Sequence, residues 1–135
     1  ALTRYAAVML RVLDIAFVTF HTALVVFNVA GWAVRPLRRA NLVTLALTGL
    51  SWFGLGIFYG FGYCPFTHWH WTVLHRLGEQ DLPHSYILYL MERLFGLSAD
   101  PLVVDAAVVA TFFVSLIVSI TLNTRDIRRQ RGRHH

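Results

Sequence analysis

"LVTLALTGLSWFGLGIFYGFGY", residues Leu42 to Tyr63, contains no charged side chain. At about 1.5 Å per residue, a helix of this length crosses a hydrocarbon core of ~30 Å. Two more stretches read the same way. Val12 to Val34 is broken mainly by Asp14, His21 and Asn28, and Leu102 to Leu122 carries one charge, Asp105. The whole chain of 135 residues is 56% hydrophobic and 14% charged. A soluble domain carries about 25% charged residues. The pattern predicts an all-α polytopic membrane protein forming a single membrane domain over residues 1–135. Its spans are placed at 12–34, 42–63 and 102–122, with a loop at 64–100 and a basic tail at 123–135.

The net charge of +5 has a direction along the chain. Every basic residue is arginine. Arg35, Arg38 and Arg39 lie between the first two spans, and Arg125, Arg128, Arg129, Arg131 and Arg133 follow the third. Arg4, Arg11, Arg76 and Arg93 lie on the opposite side. The positive-inside rule therefore predicts an amino terminus outside and a cytoplasmic carboxyl terminus. Beside a span, the basic tail reads as a topology signal in contact with anionic lipid rather than as a nucleic-acid site. His134 and His135 match the stub of a purification tag. The first span is too long and too polar for a cleaved signal peptide. With one cysteine, Cys64, the chain has no dithiol chemistry.

Local signals set the element ends. Pro36 ends the first span and Asn41 is placed to cap the second. Asp100-Pro101 is an N-cap followed by proline at the first helical position, and Asn123 closes the third span. Two shorter helices are expected in the loop. One runs from Thr67, its cap, to Leu77, with Gly78 as its stop and Trp69, Val73 and Leu77 on one side. The other spans His84 to Phe95 and stops at Gly96. It puts Ile87, Leu88, Met91, Leu94 and Phe95 on an apolar face and Ser85, Tyr89, Glu92 and Arg93 on the opposite one. That is an amphipathic helix for the membrane interface or the bundle top. Trp69 and Trp71 sit where an aromatic belt anchors a chain to the interface.

Polar groups in hydrocarbon are costly without partners, so the polar stripes of the spans should face one another. Asp14, His21 and Asn28 share a face of the first helix. Thr44, Thr48 and Ser51 line the second, and Thr111, Ser115, Ser119 and Asn123 the third. Counting from the loops sets His21 level with Ser51 and Thr111, Asn28 with Thr48 and Ser119, and Asp14 with Asp105. Asp14 and His21 stand about 10.5 Å apart along the axis, so they are not direct partners. Gly56 and Gly60 form a GxxxG pair that permits close helix approach.

Three groups carry candidate chemistry. His21 has the ligand chemistry for one axial position of a haem or a chlorophyll-type pigment, although nothing in the sequence requires a cofactor. Cys64 with His68 or His70 supplies the parts of a thiol nucleophile and its base. His68, His70, Asp14 and Asp105 are the candidate metal ligands, at spacings that fit no helix face.

The run "NLVTLALTGLSWFGLGIFYGFGYCPFTHWHW" (Asn41 to Trp71), with "LPHSYI" (Leu82 to Ile87) and "LNTRD" (Leu122 to Asp126), resembles a family of small bacterial membrane proteins known as domain of unknown function 2784. The resemblance covers about Asp14 to Asp126. Its marks are a histidine in the first span, here His21, and a Cys-Pro-x-Thr motif, here Cys64, Pro65 and Thr67. His68 stands where related sequences often carry an acidic residue. The resemblance implies a helical membrane fold and no particular activity; the expected location is a bacterial inner membrane. The functional expectation is a non-enzymatic accessory subunit of an energy-converting or transport complex, packing on the bilayer and on other membrane subunits. The alternatives are a cofactor protein using His21 and a small enzyme using Cys64, His68 and His70.

Overall fold

The computed structural model describes residues 3–134, and their regular elements are all helical. Helix α1 spans Arg4–Ala30, α2 Arg38–Gly49 and α3 Gly56–Tyr59, the last two joined by a π-helical segment at Leu50–Leu55. Helices α4 (Pro65–Arg76) and α5 (Tyr86–Phe95) follow, and α6 runs from Pro101 to Arg133. Three stretches are long and apolar enough to cross a membrane: Arg4–Ala33, Arg35–Tyr59 and Pro101–Arg133. The predicted three-span architecture stands, with longer first and third helices. Asn123 does not end α6, because no proline follows it and arginine is a good helix former. His135 lies outside the described residues.

The arginine-rich end is tied by side chains. Asn41 is not a cap for its own helix, which begins three residues earlier at Arg38. Its fully buried amide instead donates to the carbonyls of Phe27 (2.7 Å) and Asn28 (3.2 Å), closing the carboxyl end of α1. The Phe27 carbonyl also accepts from the Gly31 N–H, so the Asn41 amide adds a second donor at the helix end, where backbone carbonyls run short of partners. Asn123 donates to the Arg38 carbonyl at 3.0 Å and to Ser119 O on its own helix at 2.7 Å. Arg38 pairs with Asp126 at 3.0 Å and holds the Trp32 carbonyl through Nε at 2.9 Å.

In mid-bundle, Asn28 donates to Thr48 Oγ1 at 3.0 Å, as their matched depth predicts. Ser119, expected in the same layer, bonds within α6 instead. Ser115 is buried, but Thr111 is exposed and Phe112 takes the inward position beside it. The close α2–α6 approach falls at Gly49, where an added Cβ would lie 3.1 Å from the Phe112 ring. The GxxxG pair does something other than join helices. A Cβ on Gly56 would meet the Phe61 Cα at 3.3 Å, and Gly60 stops the helix with φ +109°. The turn after α3 therefore folds back over its own helix.

That reversal is secured by one backbone bond and one side-chain bond. Gly62 N–H donates to the Trp52 carbonyl at 3.2 Å, and Ser51 Oγ donates to the Tyr63 carbonyl at 2.7 Å. The π-helical segment places Trp52 and Ser51 to receive the returning strand of chain. Ser51 thus serves the turn rather than an interhelical layer. Helix α4 then starts at Pro65, with Cys64 rather than Thr67 as N-cap. Its Phe66 ring packs on Phe20 (5.1 Å between centroids) and its His70 ring on Phe17 (5.5 Å). Helix α4 accordingly runs antiparallel alongside α1, climbing from the level of Phe20 toward Asp14. It is re-entrant in the sense that it turns back along α1, packed on it through Phe66 and His70.

Candidate functional site

The site is assembled where α1, α4 and α5 meet. Helix α4 buries His70, Val73 and Leu74, a face that keeps Val73 from the expected Trp69–Val73–Leu77 set but is rotated so that Trp69 is 51% exposed. The rotation follows from α1. A carboxylate at Asp14 needs a donor, and presenting His70 supplies one. His70 Nε2 lies 2.7 Å from Asp14 Oδ1, and its Nδ1 lies 2.8 Å from the Tyr86 hydroxyl. In the neutral ring, Nε2–H donates to the carboxylate and Nδ1 accepts from the phenol.

Helix α5 completes the site with the face that its sequence seemed to turn outward. Arg93 Nη1 and Nη2 donate to Asp14 Oδ1 and Oδ2 at 2.6 and 2.9 Å, and Nη1 also donates to Tyr89 Oη at 2.6 Å. Tyr86, Tyr89 and Arg93 follow an i, i+3, i+7 spacing and so share one side. Leu94 and Phe95, expected to pack inward, are 46% and 72% exposed. The reason is the solvent. A helix beside a bilayer gains nothing by hiding aliphatic groups from lipid, but it gains by giving a buried carboxylate its counter-ion. Gly96 ends the helix as predicted, with φ +65°, but the helix begins at Tyr86 rather than His84, and Ser85 is its cap, accepting from Leu88 N–H.

Aromatic rings enclose the cluster. Tyr86 stacks on His21 at 3.8 Å with 12° between the planes, and Trp71 stacks on Tyr86 at 5.3 Å. Trp71 is therefore a wall of the site rather than an interfacial anchor; Trp69 keeps an exposed position. The His70 side chain is completely buried. Burial holds its imidazole below the ordinary histidine value, against the opposing pull of the Asp14 carboxylate. Burial also pushes the Tyr86 phenol upward, and the hydrogen bond to Asp14 raises the Arg93 guanidinium further. All three effects favour one state: charged Asp14 and Arg93, neutral His70 and Tyr86.

Other expected groupings do not assemble. Both ring nitrogens of His70 are engaged, so it cannot act as base for Cys64. Cys64 is a free thiol at the start of α4, and His68 is exposed, its ring 6.1 Å from that of Tyr63. Asp105 stays apart on α6. Among the described residues no three His, Cys, Asp or Glu side chains gather into a metal-sized group. His21 is buried under Tyr86, its Nδ1 without a hydrogen-bond partner. The sequence pointed to Asp14, His21 and His70 but missed Tyr86, Tyr89 and Arg93. Their helical spacing was the available signal.

The order Asp14–His70–Tyr86 can pass a proton along a line of hydrogen bonds. Its closed surroundings, and the salt bridge that consumes the carboxylate, make it first a fastening between the re-entrant unit and α1. The family model described as Protein of Unknown function (DUF2784) matches residues 11–124. The chain belongs to this family. The matched range contains every residue of the cluster, from Asp14 to Arg93. Comparison with curated proteins and with solved structures gives no match.

Proposed function

We propose that this member of the DUF2784 family is a non-enzymatic accessory subunit of a bacterial inner-membrane complex concerned with energy conversion or transport. In this reading the amino terminus is outside and the arginine-rich end is cytoplasmic, in line with the arginine distribution. One observation carries the proposal. Between α1 and α6 runs a groove of about 290 Å³ lined by Val29, Trp32, Ala110, Thr111, Val114 and Val118. Thr111 is exposed beside it and makes no side-chain hydrogen bond among the described residues, whereas Thr121 bonds back to the Ile117 carbonyl at 2.8 Å. An apolar groove whose α6 wall carries the small residues Ala110, Thr111 and Ser115 suits a partner transmembrane helix, which packs closely and supplies an acceptor to the free hydroxyl.

A photo-crosslinking residue at Ala110, compared with one at Ile57, tests it in intact membranes. The expected result is a discrete protein adduct of fixed mass from position 110 and none from 57. Equal adducts from both positions, or lipid adducts alone, would overturn the reading. A second reading keeps His21 as an axial ligand for haem or a chlorophyll-type pigment. Its support is the buried, unpartnered Nδ1. An absorption band in the purified protein that disappears in His21→Ala would establish it; a featureless visible spectrum would dismiss it.

A further inference from the structure

At the arginine-rich end a basin of about 440 Å³ opens between the Arg35–Leu37 turn, the start of α2 and the last turns of α6. Arg35, Arg38, Arg39, Arg129 and Arg133 line it, and Asp126 is the acidic residue among the lining side chains. Asp126 is already taken: Arg38 Nη1 reaches its two oxygens at 3.1 and 3.0 Å. Arg38 is held further through the Trp32 carbonyl, so this pair forms a fixed wall. Arg39 touches the neutral Gln130 at 3.3 Å. Five guanidinium groups thus share one concavity with a single carboxylate, which Arg38 engages directly, and the excess positive charge favours an anion among them.

The position selects the anion. The basin lies where the apolar spans of α2 and α6 end, with buried Asn123 at its base and Pro36 and Ile127 among its walls. A headgroup lodged there leaves its acyl chains free to run along the spans. We propose that this basin binds the phosphate headgroup of an anionic lipid through Arg35, Arg39, Arg129 and Arg133. Basic pockets at the ends of membrane helices suit such headgroups, and guanidinium forks match phosphate oxygens in pairs. The inference does not depend on the accessory-subunit reading.

The tail carries its own control. Arg125, Arg128 and Arg131 have the same charge and lie on the same helix but do not line the basin. The full chain in mild-detergent micelles is titrated with phosphatidic acid, phosphatidylcholine or inorganic phosphate, and complexes are counted by native mass spectrometry. The wild type should retain phosphatidic acid in preference to phosphatidylcholine. Each basin arginine is worth about fivefold, so Arg39→Gln/Arg129→Gln/Arg133→Gln should weaken retention roughly a hundredfold. Arg125→Gln/Arg128→Gln/Arg131→Gln should stay within about threefold of wild type. Equal losses from both triples would mean diffuse tail charge and overturn the site, as would no preference for phosphatidic acid. Inorganic phosphate that binds as well as the lipid would overturn the lipid assignment. If the basin triple fails to melt cooperatively, Arg129→Gln against Arg128→Gln decides: a fivefold drop confined to the first supports the site, and equal values refute it.

Discussion

Asp14 is the residue on which the α1–α4–α5 cluster turns, because its two oxygens take hydrogen bonds from both His70 and Arg93. Asp14→Ala leaves a buried imidazole and a guanidinium without their acceptor and should cost about 3–5 kcal/mol. Thermal unfolding in detergent measures it. Arg93→Ala should cost less, about 1.5–3 kcal/mol before screening, because 33% of its side chain is exposed. His70 gives the cluster a pH dependence with a definite sign. Its folded-state value lies below the ordinary 6.5, so the unfolded chain takes up the proton first as pH falls. The contribution is complete above about pH 6.5 and is lost as acid drives the folded ring toward protonation. Melting temperature and amide exchange in α4 should therefore decline from pH 7 to pH 5, and His70→Gln should flatten that decline. An equal decline in His70→Gln would assign it elsewhere. Asp14 and His21 stood out in the sequence because ionisable groups inside spans are rare. Tyr86 and Arg93 did not, because polar residues on a short amphipathic helix are ordinarily read as facing water.

At the scale of elements, the re-entrant turn rests on Gly60. Its φ of +109° with ψ +147° belongs to a region that only glycine occupies freely, so Gly60→Ala should cost about 1–3 kcal/mol although its Cβ meets nothing within 4 Å. Gly49 fails differently: the Phe112 ring fills the space beside it, and Gly49→Val should separate α2 from α6 at about 1–3 kcal/mol. Amide exchange separates the two cases. Gly60→Ala should loosen α3 and the start of α4, whereas Gly49→Val should loosen α2 and mid-α6. Some helix ends written in local chemistry were legible: Asp100 accepts from Leu102 N–H and Pro101 opens α6, as read from sequence, whereas Asn41, Thr67 and Asn123 do not mark the ends read from them. The return of residues 60–64 to the level of Ser51 was not. It depends on a π-helical segment, a backbone bond from Gly62 and a hydroxyl bond from Ser51, which no periodicity announces.

The whole molecule is clasped at both ends. Asp14, His70 and Arg93 close one, and Arg38, Asp126 and Asn123 close the other. These groups share no partner, so Arg93→Ala and Asn123→Ala should add within about 0.5 kcal/mol in a double-mutant cycle. A coupling above about 1 kcal/mol would mean that strain passes along the spans. The three spans were plain from hydropathy because lipid solvation demands long apolar runs. Which faces turn inward was less plain: Thr111 looks like part of a polar stripe, yet it faces out while Phe112 fills the interior. The re-entrant course of α4 also makes the chain's one thiol a natural probe. Cys64 opens α4 beside the Ser51 level, below the surface that its position after a span would suggest. A charged, membrane-impermeant maleimide should leave it unmodified in sealed vesicles, while an uncharged permeant maleimide reaches it. Gly60→Ala, by releasing the turn, should make it available to both reagents.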